Sequence, residues 1–121
     1  MNSAKRCIIG LGCDPNRAKF AQQNWAPRLG VDMDFAQNLK SLMNQVSSKE
    51  YAVVFIAPGM CHLIGEEGSV KVFQQVKAIQ PKVKCVLVKD VSQALSVLSK
   101  ALGLEGFKDV QAMSNDWPFV D

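Results

Sequence analysis

Tyr51-Ala52-Val53-Val54-Phe55-Ile56-Ala57 is an unbroken apolar run that Pro58-Gly59 stops. A strand with one wet face alternates apolar and polar residues, whereas a short run with no polar break suits a strand covered on both faces, in the middle of a parallel sheet. Two further runs read as buried strands, the second carrying one lysine. Cys7-Ile8-Ile9-Gly10-Leu11 closes at Gly12, and Val83-Lys84-Cys85-Val86-Leu87-Val88 ends before Lys89-Asp90. Val31-Asp32-Met33 alternates briefly and predicts a short additional strand.

Helical signals fill the intervals. Asp14-Pro15 supplies a cap and then a proline at the first helical position, and Ala18, Ala21 and Trp25 recur at helical spacing. This predicts a helix from Pro15 to Trp25 that Pro27 ends. Asp34 with Gln37 three positions later reads as a capping box opening a second helix, with Phe35, Leu39, Leu42, Met43 and Val46 on one face. Gly59 to Gly68 reads as a loop carrying Glu66 and Glu67. It precedes a helix with Val72, Phe73, Val76 and Ile79 on its apolar face, closed by Pro81. Asp90 with Gln93 repeats the capping pattern before Val91, Ala94, Leu95, Leu98, Ala101 and Leu102, and Gly103 ends that helix. Val110 to Met113 reads as a weak last strand. Strands alternating with helices imply right-handed crossovers, hence one α/β domain over residues 1–121, a three-layer α-β-α sandwich on a mainly parallel sheet of four to five strands.

Composition agrees with a single folded unit. In 121 residues, 48% are hydrophobic and 21% charged, which is enough apolar side chain to offset chain entropy. The net charge of +3 comes from basic residues scattered along the chain, with no block that would track a phosphate backbone, so no nucleic-acid partner is expected. The apolar stretch after Met1-Asn2-Ser3-Ala4-Lys5-Arg6 is too short for a secretory signal core, and no window approaches a membrane span. Cys7, Cys13, Cys61 and Cys85 lie far apart, and two of them fall inside buried-strand runs. Reduced thiols in a cytoplasmic protein follow.

The order and spacing over roughly residues 5 to 113, with Pro58-Gly59-Met60 just past the third strand, resemble the receiver domain of bacterial response regulators, a flavodoxin-like fold. That resemblance implies a signalling module. It also implies carboxylates after the first strand, yet those places fall near Leu11 and Gly12, with Asp14 the only acid close by. The phosphate-accepting aspartate falls on Ile56 or Val54, the hydroxyl residue near Val88 or Lys89, and the lysine near Ala112 or Met113. The resemblance therefore points to a pseudo-receiver without phosphotransfer, acting through a protein partner or self-association.

Open parallel sheets bind ligands beyond the carboxyl ends of their strands. That edge gathers Gly12, Cys13, Asp14, Gly59 and Lys89, a candidate seat for a small anion or nucleotide. Gly10-Leu11-Gly12 has only two glycines of a dinucleotide fingerprint, and as a plain turn it needs Asp14 merely as a cap. Cys61-His62 is the one Cys-His pair and a candidate thiol nucleophile and base, with Cys13 as a resolving thiol. Paired C-x-x-C spacing is missing, so no metal and no cofactor are assigned. Trp117-Pro118-Phe119 is a candidate docking segment, on the body or on a partner.

Overall fold

The computed structural model describes residues 6–12 and 14–104. Four strands, β1 (Arg6–Leu11), β2 (Val31–Ala36), β3 (Val53–Ile56) and β4 (Lys84–Leu87), pair in the order β2-β1-β3-β4, all parallel. All four residues of β3 are buried, as the unbroken run at Tyr51–Ala57 requires. Gly10 of β1 stands in register between Phe35 of β2 and Phe55 of β3, and the two rings meet edge to face above it at 5.8 Å. A methyl at Gly10 would lie 2.4 Å from the Phe55 ring, so this glycine exists to let the aromatic pair close across β1.

Helices cover both faces. On one lie α1 (Pro15–Phe20), a π-helical turn (Ala21–Trp25) and α2 (Ala26–Leu29), together with α5 (Val91–Ala101). They pack on Ile8, Val53, Phe55 and Val88 through Trp25, Leu29, Leu95 and Leu98. On the other lie α3 (Leu39–Ser48) and α4 (Pro58–Ile79), which pack on Ile9, Leu11, Val54 and Ile56 through Leu42, Val46, Val72 and Val76. The result is the expected three-layer α/β sandwich with a flavodoxin-like parallel sheet.

Several boundaries differ from the sequence reading. The first helix does not stop at Pro27 but runs on to Leu29, because the wide π turn, with Ala26 N–H bonding Ala21 C=O, precedes the proline and absorbs its missing donor. Gly30, at φ 70°, then ends it in the left-handed conformation. Asp34 and Phe35 belong to β2, not to a helix; Asn38 is the N-cap of α3, its side chain accepting the Ser41 N–H at 2.8 Å. The predicted loop from Gly59 to Gly68 is helical, and Glu66 and Glu67 lie on it. Pro58 opens α4 rather than breaking the chain, and Gly65 (φ 71°, ψ 179°) kinks it. Asp90 caps α5 as expected, accepting the Ser92 N–H. Val110–Met113 and Trp117-Pro118-Phe119 lie outside the described residues.

Candidate functional site

Sheet order reverses between β1 and β3: from β1 the chain crosses to β2 on one side, while β3 and β4 extend the sheet on the other. Such a switch point leaves a crevice beyond the strand ends. Here the crevice is a cleft of about 340 Å³ on the face shared by α1 and α5. Its floor is Phe55, Met33 and Phe35, its walls are Ala21 and Trp25 on one side and Val91, Ala94 and Leu98 on the other, and Gly12, Asp14, Arg17, Ala57, Pro58 and Gly59 complete it at the strand ends. The size matches a small-molecule site, and the lining is mostly apolar and aromatic with few polar groups, as such sites are built.

The polar groups are held firmly. Asp14 is the N-cap of α1, accepting the Asn16 and Arg17 N–H groups at 2.9 and 3.0 Å, and its other oxygen accepts from the Arg17 guanidinium. The Arg17 side chain, then its backbone N–H, hold the Asp14 carboxyl below the usual carboxylate range. Gly12 turns at φ 89° and donates to Ala36 C=O at 2.7 Å, and a methyl on it would lie 2.3 Å from Met60 Cβ. Both glycines of Gly10-Leu11-Gly12 thus answer to packing. No side chain caps α4 at Ala57, so the amino end of that helix enters the cleft through Pro58 and Gly59.

Of the residues singled out from sequence, Gly12, Asp14 and Gly59 line the cleft. Cys13 lies outside the described residues. Lys89 does not line the cleft; its ammonium sits 3.2 Å from the Glu66 carboxylate. Cys61 is buried on the opposite face of the sheet, in the cluster with Leu11, Val54 and Val72, while His62 is exposed. The imidazole turns outward from a thiol that turns inward. Ile56 and Val54, onto which the receiver resemblance would place a phosphate acceptor, are apolar and fully buried. Among the described residues no three His, Cys, Asp or Glu side chains gather as a metal site, and no helix is long and apolar enough to cross a membrane.

Sequence reasoning missed Arg17, Trp25, Phe35 and Phe55 as site residues. Arg17 had a signal, since a basic residue three positions after a capping aspartate can reach back to it. Phe35 and Phe55 had none, because only sheet register sets them side by side.

A second polar cluster lies away from the cleft. Asp34 Oδ2 accepts from Tyr51 Oη at 2.7 Å and Lys49 Nζ at 3.0 Å, with Cys7 Sγ at 3.6 Å. Burial pushes the Asp34 carboxyl up, but the Tyr51 and Lys49 bonds outweigh it and hold the group below its ordinary value. Burial, then the Asp34 bond, pushes the Tyr51 phenol up, so it stays a donor. Gln80 joins this corner to the next, donating to Val46 and Lys49 carbonyls and accepting the Tyr51 N–H. Every member is satisfied by another protein group, which is the pattern of a structural tie.

No family model matches the chain, and no curated protein or solved structure matches it either.

Proposed function

We propose that the protein is a non-catalytic, receiver-like binding module that holds a small, largely apolar ligand bearing one anionic group in the cleft between α1 and α5. The observation that carries this reading is the cleft itself, about 340 Å³ of aromatic and aliphatic lining at the topological switch point. Its apolar lining favours a flat hydrophobic body over a nucleotide's ribose and phosphates. The uncapped amino end of α4 favours a single negative group beside Gly59. Asp14 and Arg17 neutralise each other, so the lining does not call for a multiply charged anion. Support for a thiol-dependent enzyme is weaker: Cys61 opens on neither the cleft nor His62. The protein-partner reading rests on a different surface, the outer edge of β4.

Anilinonaphthalene sulfonate has the required chemistry, a flat aromatic body with one sulfonate. Saturable binding of this dye to the folded protein is expected, and a ligand at about a hundred times its dissociation constant should add roughly 2.7 kcal/mol of stability. Ala94→Leu and Ala94→Phe fill the cleft and should abolish dye binding while cooperative unfolding is kept. Absence of saturable binding, or binding that both variants leave unchanged, would remove the cleft as the site.

A further inference from the structure

The outer edge of β4 carries an inference independent of the cleft. Among the described residues β4 pairs on one side only. Lys84 and Val88 direct their N–H groups to Ala52 and Ile56 on the β3 side, at 3.1 Å each. Alternation along a parallel strand therefore turns the N–H and C=O groups of Cys85 and Leu87 outward, where they form an open ladder. All four β3 residues are buried, but no β4 residue is.

Handedness decides whether the chain's own continuation fits there as a fifth strand. The crossovers β2 to β3 and β3 to β4 run in one direction with α3 and α4 on one face, and β1 to β2 runs in the other direction with α1 and α2 on the opposite face. Both arrangements have the same hand, and the general rule for parallel crossovers makes it the right one. A strand added beyond β4 directly after α5 would need α5 on the α3/α4 face, but α5 packs with α1 and α2. The hand rule thus disfavours closure by a parallel strand placed directly after α5, and among the described residues the ladder has no partner.

Charge selects which kind of molecule. The groove beside β4 has Cys85, Val86 and Val97 as its apolar floor and Lys77, Lys84 and Lys100 around it. Among the described residues no carboxylate forms an ion pair with any of these three lysines. Like charges oppose pairing of β4 with β4 of a second copy; lysines on an edge repel basic strands, discourage neutral ones and attract acidic ones. We propose that β4 is the docking edge for an extended acidic segment of another protein, which adds a strand through the Cys85 and Leu87 backbone and places its carboxylates against Lys77, Lys84 and Lys100.

A labelled peptide alternating valine and glutamate is the probe, titrated into the full chain. Saturable binding is expected, with amide exchange slowed at Cys85 and Leu87 and affinity falling as salt rises. Lys77→Glu with Lys100→Glu should weaken it by at least about tenfold. Lys84 is kept because its ammonium also ties the Ala101 carbonyl at the end of α5. Equal binding of the valine–lysine counterpart, exchange protection elsewhere, or no binding would overturn the proposal. So would Cys85 and Leu87 amides already protected without peptide, since the ladder would then be taken by the chain itself or by a second copy. Dye binding in the cleft is read separately, so either site can fail alone.

Discussion

At the residue scale the most exacting position is Gly10. No side chain fits beneath the Phe35–Phe55 pair, since even a methyl would meet both rings at under 3.0 Å. Gly10→Ala should destabilise the protein by about 1–3 kcal/mol, the usual cost of overpacking a core. A shift in the urea midpoint checks this, and an unchanged midpoint would mean that the rings move aside freely. Asp34 supplies a pH-dependent counterpart. Its carboxyl is held below the ordinary 3.8 in the folded chain, so its stabilising contribution is present above that value and is lost as pH falls through the depressed folded one. Asp34→Asn should be less stable than the parent at neutral pH, and the gap should narrow in acid. A gap that stays constant from neutral pH down to about pH 2 would contradict the tie to Tyr51 and Lys49.

At the element scale, α4 concentrates the tension between local signal and fold. Gly65 takes φ 71° and ψ 179° inside a helix, a region that essentially only glycine occupies, with the buried Ser69 hydroxyl donating to its carbonyl at 2.8 Å. Gly65→Ala should cost about 1–3 kcal/mol although nothing stands where the methyl would go, because the strain lies in the backbone. Calorimetry on the variant measures it; a cost near zero would mean that the helix straightens through the kink. Asn38→Ala, which removes the cap of α3, should cost about 1 kcal/mol. Local spacing misplaced both helix starts for related reasons. Pro58-Gly59 follows a strand, and the same pair that punctuates a turn also opens a helix. Asp34 and Gln37 have capping-box spacing, but Asp34 lies in register with Ile9 in the sheet, and pairing along β1 outweighed the local preference.

At the scale of the whole molecule, a fold without a phosphorylatable group at its third strand should not take up phosphate. Incubation with acetyl phosphate and magnesium should leave the intact mass unchanged, and a stable phosphoryl adduct on an aspartate would refute the non-catalytic reading. The strands at Cys7–Leu11, Tyr51–Ala57 and Val83–Val88 and the parallel α/β class were legible in the sequence, and so was the burial of the first two; that β4 is an edge strand with none of its residues buried was not. Continuous apolar runs and 3.6-residue periodicity are written along the chain, and burying them is the largest favourable term in folding. Asp14 and Asp90 as helix caps were legible for the same reason, since a cap acts within a few residues of itself. The tertiary structure alone decided that Phe35 and Phe55 meet over Gly10 and that Cys61 and Lys89 fall outside the cleft. It alone decided that α5 joins α1 and α2 on one face and that, among the described residues, the outer edge of β4 has no partner strand. These are facts of register, handedness and packing between residues distant in the chain, and no local spacing encodes them.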